Sequence, residues 1–230
     1  MDDRLALSAL DWWQEAGVDV GIDETPRDWL AASPAAPAPE AARPAPAVEA
    51  TLPDTLAAFR RWLLIDTAVP GPPAARLDAT GDASGGAMIV LDMPEAEDRA
   101  AGRLLSGEPG LLFDNMLKAV GLDRTSAYLV PLTPARPMSG RLSPAVIETF
   151  ARLIRHHVAL AAPRRLLLLG ETPCRALLGL ACQEARGSVH QVAIGGGIPA
   201  VVSFPPRFLL QTPARKAAAW ADLKLFMGLR

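Results

Sequence analysis

Cysteine is the scarcest informative residue in this 230-residue chain, with Cys174 and Cys182 its only two. Two thiols are too few for a disulfide framework and too few for a four-thiolate zinc or iron–sulfur site, so a metal would need other ligands. The start, Met1-Asp2-Asp3-Arg4, is acidic, and no apolar run of the roughly 18 residues needed to cross a membrane follows it. Neither a signal peptide nor a membrane span is expected, and the expected compartment is the cytoplasm. Enzymatic signatures are missing too: there is no Walker loop, no G-x-G-x-x-G after a strand, no G-x-S-x-G elbow and no H-E-x-x-H. Apolar material is ample, with 50% hydrophobic against 21% charged residues, which predicts one principal globular domain with a full core.

The net charge of -2 hides an uneven division. Residues 1–122 carry 9 Lys and Arg against 20 Asp and Glu, a net of -11, whereas residues 123–230 carry 14 against 5, a net of +9. A basic half suits a polyanionic partner such as nucleic acid. Pairing of the two halves within one fold would account for the same numbers.

Along the chain, Leu5, Leu7, Leu10, Trp12 and Trp13 fall in a helix-compatible pattern. Thr25-Pro26 then reads as a cap and first-turn proline ahead of a short helix. Residues 31–50 are almost only Ala and Pro, and Pro34, Pro37, Pro39, Pro44 and Pro46 deny them a regular helix. The expected organisation is a helical segment (1–30), an extended tether (31–50) and a globular domain (51–230).

Within that domain, apolar runs at 87–91, 127–130, 166–169, 192–194 and 200–203 read as strands. Helical patterns occupy 52–65 and 110–120, and a long helix follows Ser143-Pro144 with Val146, Phe150, Leu153, Ile154 and Val158 on its apolar side. Thr172-Pro173 and Thr212-Pro213 repeat the cap-proline device before two further helices. Strands separated by helices predict an α/β fold, a three-layer αβα sandwich around a mostly parallel four-stranded sheet. Gly195-Gly196-Gly197 lies between two strand candidates with no helix after it and reads as a hairpin turn. Ligands in such sheets bind beyond the carboxyl ends of the strands. The segments after Leu91, Val130, Leu169 and Ser203 are therefore the places to look for chemistry.

Asp92, Glu95, Glu97 and Asp98 follow the first strand, where they could hold a divalent cation, position a water or cap the next turn; the cap is the simpler reading. His156 and His157 are adjacent on a helix and point in different directions, so they cannot share a metal, and solvated or capping roles are expected. The two cysteines lie in an Ala/Leu-rich stretch and are expected to be buried as small hydrophobes.

From about Met88 onward the chain resembles the family-4 uracil-DNA glycosylases. Their first motif, G-E-A-P-G-x-x-E-D-x-x-G-x-P-F-V-G-x-A-G-x-L-L, is matched without a gap from Leu91-Asp92-Met93-Pro94 through Gly102, Gly107, Gly110 and Leu112. Tyr128 to Pro137 is similar to the family's strand and Arg-Pro segment, and Ala162-Pro163 through Leu178-Gly179 to its A-P-x-x-L-x-L-L-G block. Pro205 to Pro213, with Lys216, Trp220 and Asp222-Leu223, resembles H-P-S-Y-L-L-R-N-P followed by K, W and D-L.

The resemblance implies a pocket that stacks a flipped base on phenylalanine, reads it with asparagine, expels it with help from histidine and attacks with a water held by an acid. Here the acid is Asp92, beside the matched Pro94; Leu105 stands for the phenylalanine, Pro131 for the asparagine and Pro205 for the histidine. Neither proline carries a donor. Phe150 matches the family's third cluster cysteine, and no C-x-x-C precedes Met88. The family's iron–sulfur cluster is therefore expected to be absent, and no other metal is expected. Gly107 and Gly110 would let the main chain approach phosphates, and Arg136, Arg141 and Arg207 stand where each can pair a phosphate oxygen.

The expected function is a degenerate, repair-associated DNA-binding protein that has lost normal uracil excision. The alternatives are a divergent glycosylase that removes another damaged base through Asp92, and a scaffold that docks a protein partner through the Trp12-Trp13 helix. A monomer is expected.

Overall fold

The computed structural model describes residues 52–229. The chain divides into a unit of residues 1–47 and a unit of residues 48–230. The expected helical segment 1–30, the tether 31–50 and the Trp12-Trp13 surface lie outside the described residues.

The sheet is built from β1 (Ala87–Leu91), β2 (Tyr128–Pro131), β3 (Arg165–Leu169), β4 (Val189–Val192) and β5 (Ile198–Ser203). Its order is β2-β1-β3-β5-β4; the first four are mutually parallel, and β4 pairs antiparallel with β5 at the edge. The central strands are continuous apolar runs because both faces are covered. Met88, Val90, Leu166, Leu168, Ala200 and Val202 enter one core cluster, while Ile89, Leu91, Leu167, Leu169 and Val201 enter the other.

The α-helices of the described residues are α1 (Leu56–Ile65), α2 (Asp98–Ala101), α3 (Gly107–Ala119), α4 (Pro144–Ala161), α5 (Glu171–Leu178), α6 (Cys182–Ala185), α7 (Pro206–Gln211) and α8 (Lys216–Gly228). The first cluster takes Phe59 of α1, Phe150, Leu153, Ile154 and Val158 of α4, and Leu177 of α5. The second takes Phe113 and Leu117 of α3, Leu209 of α7, and Leu223 and Phe226 of α8. Ser143 caps α4 as its sequence predicts, its hydroxyl accepting from the Val146 amide at 3.4 Å.

Several local expectations are corrected. The sheet has a fifth strand, and β4 lies three residues earlier than the apolar run at 192–194. Pairing with β5 sets its position, and an edge strand exposed on one face (Val189, Gln191) shows no continuous apolar run. The three glycines do form the hairpin turn, all with positive φ. Helix α5 starts at Glu171, so its cap is Gly170 and not Thr172. His157 is not solvated: it is 2% exposed, and its Nε2 lies 2.8 Å from the Tyr128 hydroxyl. His156 Nε2 meets the Pro53 carbonyl at 2.8 Å.

One basic residue fixes the connection between α1 and β1. Arg76 is 8% exposed, and its guanidinium donates to the carbonyls of Leu63, Asp66, Val69 and Gly71 at 2.6 to 3.2 Å. The planar fork can satisfy several carbonyls of one loop at once, which a lysine cannot.

Candidate functional site

The strand ends meet in register: Leu91 lies opposite Pro131 on one side and Leu169 on the other, and Leu169 lies opposite Ser203. The next residue after β1 is Asp92, which therefore sits at the carboxyl edge of the sheet. Its carbonyl accepts from the Thr133 amide at 3.2 Å. Its side-chain Oδ1 is buried and has no hydrogen-bond partner among the described residues. Burial raises the Asp92 carboxyl above the ordinary range, opposed by the Thr172 hydroxyl and by the positive charges of Arg207 and Arg136.

Gly170 explains how Thr172 arrives there. With φ at 110°, a conformation that disfavours side chains, it turns β3 sharply into α5 while its amide donates to the Ser203 carbonyl at 3.0 Å. A Cβ on Gly170 would stand 3.8 Å from the ring of Pro205, the residue capping α7. The structure thus places Asp92, Thr172, Pro205 and Pro131 around one edge of the sheet.

The loop between β1 and α3 is organised by Asp98, which is fully buried. Its carboxylate accepts from the amides of Glu95, Leu105 and Ser106 at 2.7 to 2.8 Å and from the Ser106 hydroxyl at 2.5 Å. Arg124 holds the other side, donating to the Leu104 and Leu105 carbonyls at 2.7 Å. The acidic run after β1 therefore contains one carboxylate that builds the loop and two, Asp92 and Glu95, that face the positive charges of Arg207 and Arg136. Glu95 is paired with Arg207 of α7 at 3.0 Å, and burial raises its carboxyl. Arg136 reaches the same loop, its Nη1 donating to the Pro94 carbonyl at 3.1 Å.

Leu105 departs from the arrangement implied by its motif position: its side chain is 3% exposed and belongs to the core beneath the loop, with φ at 50°. The bareness of Gly110 is taken up by packing, because a Cβ there would overlap the Leu105 carbonyl. Gly107, with φ at 64°, opens α3 beside Glu97. Arg141 lies apart from Asp92, lining with Arg136 a cavity next to the start of α4. Sequence reasoning missed Thr172, read as a cap, and Thr133, whose buried hydroxyl has no described partner. It also missed the link from Glu95 to Arg207. Thr133 and Thr172 lie two and three residues beyond apolar strands, the one local signal that could have found them.

The residues present do not fit an iron–sulfur cluster. Phe150, at the position matched to a cluster ligand, is 2% exposed in the core. Cys174 Sγ donates to the Leu180 carbonyl at 3.2 Å, and burial pushes its thiol up to about 12. The Cys182 thiol is raised as well, whereas a ligand must be a thiolate. Among the described residues no three His, Cys, Asp or Glu side chains are grouped to hold a metal ion, and no helix is long and apolar enough to cross a membrane.

Residues 79–224 match the model of the Uracil DNA glycosylase superfamily. Over 169 residues, covering 70% of this chain and 82% of the other protein, the sequence is 27% identical to a Type-4 uracil-DNA glycosylase of Pyrobaculum aerophilum.

Proposed function

The chain belongs to the uracil DNA glycosylase superfamily, and on that premise we propose that it binds DNA at the carboxyl edge of the sheet but does not excise uracil by the family's route. The observation that carries this reading is the pair of prolines flanking Asp92. Pro131 ends β2 opposite Leu91, and Pro205 caps α7 beside Gly170. Neither can donate to a uracil oxygen. Loss of one transition-state donor typically costs about 100- to 1000-fold, and two positions are altered here. DNA would be held by Arg136, Arg141 and Arg207 without a cluster. The test is a salt-dependent gel shift combined with cleavage of a uracil-containing oligonucleotide. Binding that weakens steeply with salt, together with uracil release at least 100-fold below that of a type-4 enzyme, is the expected result; rapid uracil release refutes it.

Asp92 itself favours a second reading, hydrolysis of the N-glycosidic bond of a different damaged base. A desolvated carboxylate with a free oxygen is suited to take a proton from water as that water's oxygen bonds to C1′. The electron pair of the C1′–N bond leaves with the base, whose negative charge is opposed by Arg136 and Arg207. A panel of oligonucleotides carrying single lesions, cleaved with alkali after incubation, tests this. Release that survives Asp92→Asn excludes Asp92 from the mechanism.

A further inference from the structure

A cavity of about 300 Å³ opens beside the start of α4, walled by Pro70, Pro72 and Pro137, with Phe150 and Val146 behind and Arg136 and Arg141 at its edge. We propose that this cavity is a nucleotide subsite: it seats the base of a nucleotide flanking the one at Asp92, while Arg136 and Arg141 hold that nucleotide's phosphate. The inference rests on the DNA-binding reading above and extends it to a second, separate pocket.

Three observations converge on this occupant. The lining contains two guanidinium groups and no carboxylate. Arg136 commits Nη1 to the Pro94 carbonyl, and the Arg141 side chain makes no hydrogen bond to the described residues, so N–H donors remain for an anion. The first turn of α4 has no acidic residue, leaving the positive end of an 18-residue helix uncompensated at the same place. Apart from Ser143, whose hydroxyl caps α4, the remaining side chains are aliphatic or proline with buried Phe150 behind them; they suit the faces of a base and offer little to read its edge, so binding should tolerate most sequences.

Size and position narrow the assignment. The volume is at the lower end for small-molecule sites, enough for one nucleotide and too small for two. Arg136 lines the cavity and also donates to the Pro94 carbonyl, two residues beyond Asp92, so the nucleotide it would hold lies next to the site nucleotide on the strand. A free nucleoside monophosphate has the same chemistry. The strand is the occupant, because Arg136 ties the cavity to the loop that carries Asp92.

The test uses the full chain, with single-stranded oligonucleotides followed by fluorescence anisotropy at several salt concentrations and a deoxynucleoside monophosphate followed by calorimetry. Arg141→Gln should lower the slope of log affinity against log salt by about 0.7, the loss of one phosphate contact to a single strand. Val146→Trp fills the cavity and keeps both arginines; it should weaken strand binding on the order of tenfold, as expected for one unstacked base. Should Val146→Trp melt early, the exposed Arg141→Gln still decides the matter. Wild-type binding that Arg141→Gln retains in full, slope included, overturns the subsite and leaves the DNA-binding reading standing. Absence of wild-type binding at low salt overturns that reading and the subsite with it. Monophosphate binding as tight as strand binding overturns the assignment to the strand.

Discussion

Two buried titratable residues carry opposite signs of pH dependence. Asp92 is held above its ordinary carboxyl range by burial, so its ionisation opposes folding: the contribution is most favourable below the unfolded pKa and is lost as pH rises through the folded one. Asp92→Asn should therefore stabilise the protein at pH 7, because the amide fills the same place without a charge to desolvate. The gain should vanish below about pH 4. Urea denaturation at both pH values checks this, and stabilisation coupled to loss of base release would mark a residue kept for function. His157 is pushed down to about 4, chiefly by burial. The folded state holds it neutral, so its contribution is intact above the unfolded value of 6.5 and is lost as pH falls toward 4. That acid limb amounts to about 3 kcal/mol. His157→Phe costs stability at neutral pH by stranding the Tyr128 hydroxyl, and it should flatten the pH dependence between those limits in thermal melts.

At the scale of elements, the connection from α1 to β1 depends on Arg76, whose guanidinium gathers the carbonyls of Leu63, Asp66, Val69 and Gly71. Arg76→Met should destabilise by about 3 kcal/mol, as buried acceptors are left unpaired, and Arg76→Lys should recover little because one ammonium cannot reach all four. Denaturation midpoints of both variants test this. The loop from β1 to α3 is held in a similar way by Asp98 and Arg124, and it presents Asp92 and Glu95 to the positive charges of Arg207 and Arg136. The cap at Ser143 and the strand at 87–91 were legible locally, since the first is a hydroxyl before proline and the second an unbroken apolar run. The carbonyl clusters around Arg76 and Arg124 were not. Their partners are backbone atoms, which leave no trace in side-chain identity.

For the whole molecule, we propose that no iron–sulfur cluster is bound: the two thiols are buried, raised in pKa and too few. Purified protein should show no iron on metal analysis and no visible absorbance above the protein band; iron retained at stoichiometric level would refute this. The sequence by itself determined the αβα layering, because alternation of both-face apolar strands with amphipathic helices admits few other packings. It also determined the family motifs and placed prolines at 131 and 205. Only the tertiary structure decided that Asp98 of the four carboxylates after β1 builds the loop, that Thr172 approaches Asp92, that Glu95 pairs with Arg207, and that Leu105 packs into the core. Those outcomes depend on β1, β3 and β5 ending in register and on the positive φ of Gly170. Contacts between residues as distant as Glu95 and Arg207 exist only once the sheet has brought its ends together.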